Sequence, residues 1–95
     1  MYYSNKVYKL QNFRKSKTKK KKYDAILFNK ETGKTVVVPF GHTDYENYYD
    51  KTGLNLYPHL LHSDKVRRSA YRARHAKDLR KGYFSPGYFS YFYLW

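Results

Sequence analysis

Tyr23-Asp24-Ala25-Ile26-Leu27-Phe28, then Asn29-Lys30-Glu31-Thr32-Gly33-Lys34, then Thr35-Val36-Val37-Val38-Pro39-Phe40 is the stretch that decides the fold. Two runs of β-branched and aromatic residues flank a polar loop with a single glycine, the pattern of a β-hairpin. Pro39 has no N–H to give to a ladder, so the second strand ends there or lies at a sheet edge. The Gly33-Lys34-Thr35 triplet is not a phosphate loop, because that motif needs another glycine where Phe28 stands.

Upstream, Tyr2, Tyr3, Val7, Tyr8, Leu10 and Phe13 lead into Arg14-Lys15-Ser16-Lys17-Thr18-Lys19-Lys20-Lys21-Lys22. Like charges at this density repel and bury no core, so residues 1–22 are expected to form an extended basic and aromatic arm. Such a tract is either a solvated tail or localisation signal, or an arm on nucleic acid or an acidic partner. Residues 23–95 are then a small domain.

Downstream, turn formers recur through residues 41–63, which predicts an irregular, tyrosine-packed connection. From Ser63 or Asp64 as N-cap the pattern becomes helical, with Val66, Ala70, Ala73 and Leu79 near one stripe, Tyr71 beside it, and Gly82 as the stop. Lys65, Arg67, Arg68, Arg72, Arg74, Lys77, Arg80 and Lys81 surround that stripe. This wide cationic face is either solvated or set against phosphates or carboxylates. Ser85-Pro86 opens a further helix, and the run from Tyr88 to Trp95 is aromatic on nearly every side. It must be buried, in this domain or in a neighbour.

Composition agrees with an attachment role. The 95 residues include no cysteine, which excludes disulfides and the commonest zinc and redox sites. A net charge of +13 exceeds what internal pairing neutralises, and 13 Tyr, 6 Phe and 1 Trp are interface material. No apolar run is long enough to cross a membrane, and the N-terminus lacks the apolar core of a signal peptide.

The residues that chemistry needs do not assemble in the sequence. His59 and His62 are three apart, but they follow Pro58 and precede the helix, so no helical geometry is imposed on them; His42 and His75 stand apart, and all four read as satisfied or surface histidines. Asp44, Glu46 and Asp50 lack the spacing of a calcium loop and are expected to pair with Lys and Arg. No nucleophile with its base, no carboxylate pair and no glycine-rich phosphate loop is recognisable, so no enzyme activity, metal, cofactor or small-molecule substrate is expected.

Lys22-Tyr23-Asp24-Ala25-Ile26-Leu27-Phe28, Val38-Pro39-Phe40-Gly41, Asp44-Tyr45, Tyr71-Arg72-Ala73-Arg74-His75, Ser85-Pro86-Gly87-Tyr88-Phe89-Ser90 and Leu94-Trp95 follow one another in a specific order. In that order the chain resembles a small, basic, uncharacterised protein family of the nucleocytoplasmic large DNA viruses, over roughly residues 22–95. The Leu54 to His62 stretch looks like an insertion relative to it. The resemblance implies a viral protein of a giant virus, employed at the capsid or on the packaged genome.

The expected architecture is α+β. A β-hairpin or short antiparallel sheet packs with one basic helix and an aromatic C-terminal helix or turn, behind the extended arm. The expected function is that of a minor capsid (cement) protein bridging larger capsid subunits, in the virion and, during assembly, in host cytoplasm or virus factory. The alternative is a nucleic-acid-binding protein; an inner membrane surface is a further partner. Contacts to a polyanion or acidic partner are expected from Arg14, Lys15, Lys17, Lys19, Lys20, Lys21, Lys22, Arg67, Arg68, Arg72, Arg74 and Lys77. Tyr2, Tyr3, Tyr8, Tyr88, Phe89, Tyr91, Phe92 and Trp95 are the expected aromatic anchors.

Overall fold

The structure, a computed structural model, describes residues 3–76, 79 and 83–95. It is an α+β fold. Strands β2 (Tyr8–Lys15), β3 (Lys21–Asn29) and β4 (Thr35–His42) form a three-stranded antiparallel sheet in the order β2-β3-β4. The short strands β1 (Tyr3–Ser4) and β5 (Tyr83–Phe84) pair with each other, tying the start of the described chain to the segment that precedes its last helical turns.

The β3–β4 hairpin is closed by chemistry its loop residues supply. The Asn29 side chain accepts from the backbone N–H groups of Glu31 and Thr32 at 2.8 and 3.1 Å. Gly33 takes φ +74° and donates its N–H to the Asn29 carbonyl. Pro39 does not end β4, which continues to His42. It is tolerated because β4 is an edge strand, so its missing N–H leaves no gap in the ladder.

The expected arm is a correction. Residues 8–15 are strand β2, paired with β3 from Tyr8↔Asn29 to Lys15↔Tyr23. Tyr8, Leu10 and Phe13 pack against the core, which outweighs the repulsion of the lysines that follow. A register shift between Leu10 and Asn12 re-phases the strand so that both Leu10 and Phe13 reach that face.

One face of the sheet presents Tyr23, Ala25, Leu27, Val38 and Phe40, all buried. Helix α2 (Pro86–Phe89) and the π-helical Ser90–Leu94 that continues it lie over this face, adding Phe89, Leu94 and Trp95, with Phe84 of β5 beside them. Phe13 is the hub, edge-on to Phe40, Phe89 and Tyr93 at 5.7, 6.0 and 4.7 Å. As the sequence predicts, Ser85 caps α2, its hydroxyl accepting from the Tyr88 N–H at 3.1 Å.

Residues 43–63 cross between sheet and helix with one 3-10 turn at Pro58–Leu60 and a single bridge between Asn47 and Leu61. The Leu94 carbonyl accepts from the N–H groups of Tyr48 and Tyr49, and the Tyr93 carbonyl from Lys51. Helix α1 (Lys65–His75) follows, with Asp64 as its N-cap accepting from Val66 and Arg67 N–H. Its expected stop at Gly82 lies outside the described residues.

The expected apolar stripe of α1 does not face the core. Val66 is 79% exposed, Ala70 and Ala73 are exposed, and no residue of α1 is buried. Alanine and valine offer too little area to outcompete the larger groups on the opposite side, where Tyr71 stacks on Trp95.

Candidate functional site

The lysine tract is folded into the β2–β3 turn, and one carboxylate organises it. Asp24 is 1% exposed, accepting from Arg14 Nε at 3.0 Å, Ser16 Oγ at 2.6 Å and the Lys17 N–H at 3.4 Å. A buried carboxylate is tolerated only with such partners. Ser16 N–H donates to the Lys22 carbonyl, Lys21 N–H to the Thr18 carbonyl, and Thr18 N–H to Ser16 Oγ. Lys20 adopts φ +67°, and its carbonyl accepts from Thr43.

This turn divides the expected cationic contacts. Lys15, Lys17, Lys19 and Lys20 are exposed. Arg14 is committed to Asp24, and Lys21 is half-buried. Lys22 corrects the expectation: it is 1% exposed, and its ammonium donates to the Tyr45 carbonyl at 2.6 Å and to Asn47 Oδ1. Burial pushes its pKa down to about 8, against the opposing pull of Asp50 and Glu46. Lys22 is an internal tie from β3 to the Tyr45–Asn47 segment.

The arginines of α1 divide likewise. Arg68 and Arg72 turn inward and donate from Nε to the Trp95 carbonyl oxygen at 2.8 and 3.2 Å. Their guanidinium groups lie over Tyr48 and Tyr91 at 4.9 and 4.5 Å. Arg67 and Arg74 face out; Arg67 pairs with Glu46 at 2.9 Å and holds that carboxyl below the usual range. Lys77 lies outside the described residues.

Between α1 and the Asp44–Glu46 segment runs an open groove of about 740 Å³. Tyr45, 66% exposed and stacked on His42 at 4.6 Å, forms one wall. The other is a pile in which Tyr71 stacks between His75 at 4.3 Å and Trp95 at 4.2 Å. Arg67 and Arg74 stand on the helix bank, Asp44 and Glu46 on the opposite one. The groove therefore carries both signs of charge, unlike the turn.

Of the expected aromatic anchors, Tyr2 lies outside the described residues, while Tyr3 and Tyr8 meet edge-on at 5.0 Å and pack on the core. Phe89 and Trp95 are buried and Tyr88 is half-buried, so they serve this domain's own core. Tyr91 is half-buried beneath Arg72, and Phe92 is the most open, at 39% exposure. His59 is exposed, and His62 is half-buried with Nδ1 accepting from the Asp64 N–H at 2.9 Å. Asp50 accepts from the Tyr23 hydroxyl and from Thr52, and among the described residues it forms no ion pair with Lys or Arg.

Sequence reasoning missed Asp24, Asn47 and Tyr45. For Asp24 a signal existed: an acid inside an apolar strand run must find partners, and Arg14 and Ser16 stand nearby in sequence. Among the described residues no cluster of His, Cys, Asp and Glu is placed to hold a metal ion, and no helix is long and apolar enough to cross a membrane. No protein-family model, curated protein or solved structure matches the chain.

Proposed function

We propose that this chain is a structural protein of a large DNA virus virion, a minor capsid protein that cements larger capsid subunits. The observation that carries the reading is that two groups among its exposed cations lie on separate elements of one folded unit: Lys15, Lys17, Lys19 and Lys20 around the β2–β3 turn, and Lys65, Arg67 and Arg74 on α1. A cement must hold two neighbours at once, and individually weak charged contacts become strong when two are engaged simultaneously. The mixed-charge aromatic groove adds a surface suited to a protein partner. The resemblance of its motif order to a family of the large DNA viruses supports the setting.

The reading commits the chain to the particle. Mass spectrometry of purified, nuclease-treated virions should detect it in stoichiometric relation to the shell proteins; its absence from such particles sinks the proposal. A second reading, nucleic-acid binding, is favoured by the turn alone, where the lysines are exposed and the carboxylate among them is buried.

A further inference from the structure

We infer that the β2–β3 turn is a preorganised site for the phosphate backbone of duplex DNA, held in shape by the buried carboxylate of Asp24. This rests on the second reading above and gives it a location, a size and a positioning residue.

A lysine-rich arm that is flexible when free must be ordered by its ligand, at an entropic cost that weakens binding. Here the ordering is already done within the chain. Asp24 gathers Arg14, Ser16 and the Lys17 N–H beneath the turn, while Thr43 holds the Lys20 carbonyl from the far side. Lys15, Lys17, Lys19 and Lys20 stand outside this frame. The carboxylate that fixes them is buried and bound to Arg14, so it opposes an incoming phosphate little. The α1 surface is the poorer phosphate site, because Arg67 is already paired with Glu46, and Asp44 lines the same groove as Arg74.

The structure also sets the size of the site. A free arm spanning residues 14–22 presents Arg14, Lys15, Lys17, Lys19, Lys20, Lys21 and Lys22 to phosphates, which corresponds to a log-log salt slope of about −6. With Arg14 and Lys22 turned inward and Lys21 half-buried, the four exposed lysines correspond to a slope of about −3.6.

The test is fluorescence anisotropy of the full chain with a labelled mixed-sequence duplex between about 50 and 200 mM salt. A slope near the smaller value is expected, falling by about 1 for each of Lys17→Gln, Lys19→Gln and Lys20→Gln. Asp24→Asn separates positioning from bulk charge. It removes a negative charge, so electrostatics alone makes binding tighter, whereas loss of the frame makes it weaker by about fivefold, the equivalent of roughly one hydrogen bond. Ser16→Ala is the charge-neutral companion, expected to weaken binding in the same direction, and it decides the matter if circular dichroism shows that Asp24→Asn does not fold.

A slope near −6 with tighter binding by Asp24→Asn overturns the preorganised turn and leaves nucleic-acid binding standing. An unchanged slope in the triple lysine variant, with loss in Arg67→Gln/Arg74→Gln, moves the site to α1 and overturns it too. Poly-glutamate displacing the duplex at equal charge assigns the turn to acidic protein instead. No binding even at about 50 mM salt removes both this inference and the reading beneath it.

Discussion

The ring of Tyr71 lies flat on that of Trp95, with centroids 4.2 Å apart and planes within 5° of parallel. Together with Arg68 and Arg72 reaching the Trp95 carbonyl, this stack attaches a helix that buries none of its own residues. Tyr71→Ala should cost about 1 kcal/mol, the scale of an aromatic pair beyond its area. Trp95→Ala, which removes a buried ring, should cost about 3–5 kcal/mol in urea denaturation. Trp95 is the sole tryptophan, so its emission should shift to the red in Tyr71→Ala. An unshifted spectrum contradicts the attachment.

Lys22 makes stability depend on alkaline pH. Its folded pKa of about 8 lies below its ordinary 10.5, so between those values the folded state binds fewer protons than the unfolded chain. Stability therefore rises with pH across that window, by about 3 kcal/mol at most. Tyr23 acts oppositely higher up, since burial and its bond to Asp50 raise the phenol, and that contribution is lost as pH climbs through the tyrosine range. Urea midpoints should thus increase between about pH 7.5 and 9.5, and Lys22→Met should flatten the rise.

Gly41 and Gly33 share φ +74° but differ in surroundings. A Cβ on Gly41 meets Leu94 Cδ1 at 2.9 Å and Lys22 Cβ at 3.4 Å, whereas one on Gly33 meets nothing within 4 Å. Both alanine variants carry the left-handed penalty of about 1–2 kcal/mol. Gly41→Ala adds the clash and should lose about 1–3 kcal/mol more. Equal thermal midpoints for the two variants contradict the close approach of Leu94 to β4.

The two helix caps should respond differently to removal. Ser85 is buried and starts the segment that covers the core, so Ser85→Ala should lower global stability by about 1 kcal/mol. Asp64 caps α1, so Asp64→Ala should reduce helicity and speed amide exchange at Val66 and Arg67 while changing the global unfolding midpoint little.

The β3–β4 hairpin was legible because alternation and loop chemistry are local, and Ser85-Pro86 because a cap is a short-range signal. Strand β2 was hidden by its bulge: Tyr8, Leu10 and Phe13 fail a period-2 test because the register shifts between Leu10 and Asn12. The lysines that follow then make the whole segment read as an extended arm. The α1 stripe has a helical period, but the face that packs is that of Arg68 and Tyr71, whose partners Trp95 and Tyr48 are far away in sequence. Lys22 looked like its neighbours, and only the fold brings Tyr45 and Asn47 to it. The groove is built from three separated stretches and has no sequence signature.

Order of assembly follows from the sheet. Strands β2, β3 and β4 pair only with their neighbours in sequence, so the sheet needs no distant contact to form and the loops to be closed are short. Its apolar face stays open until Phe84, Phe89, Leu94 and Trp95 arrive from the end of the described chain. During synthesis, Tyr23, Leu27 and Phe40 are therefore wet on the ribosome until residues 84–95 emerge, and it is in that interval, not in the finished fold, that the molecule is most prone to stick to its own kind.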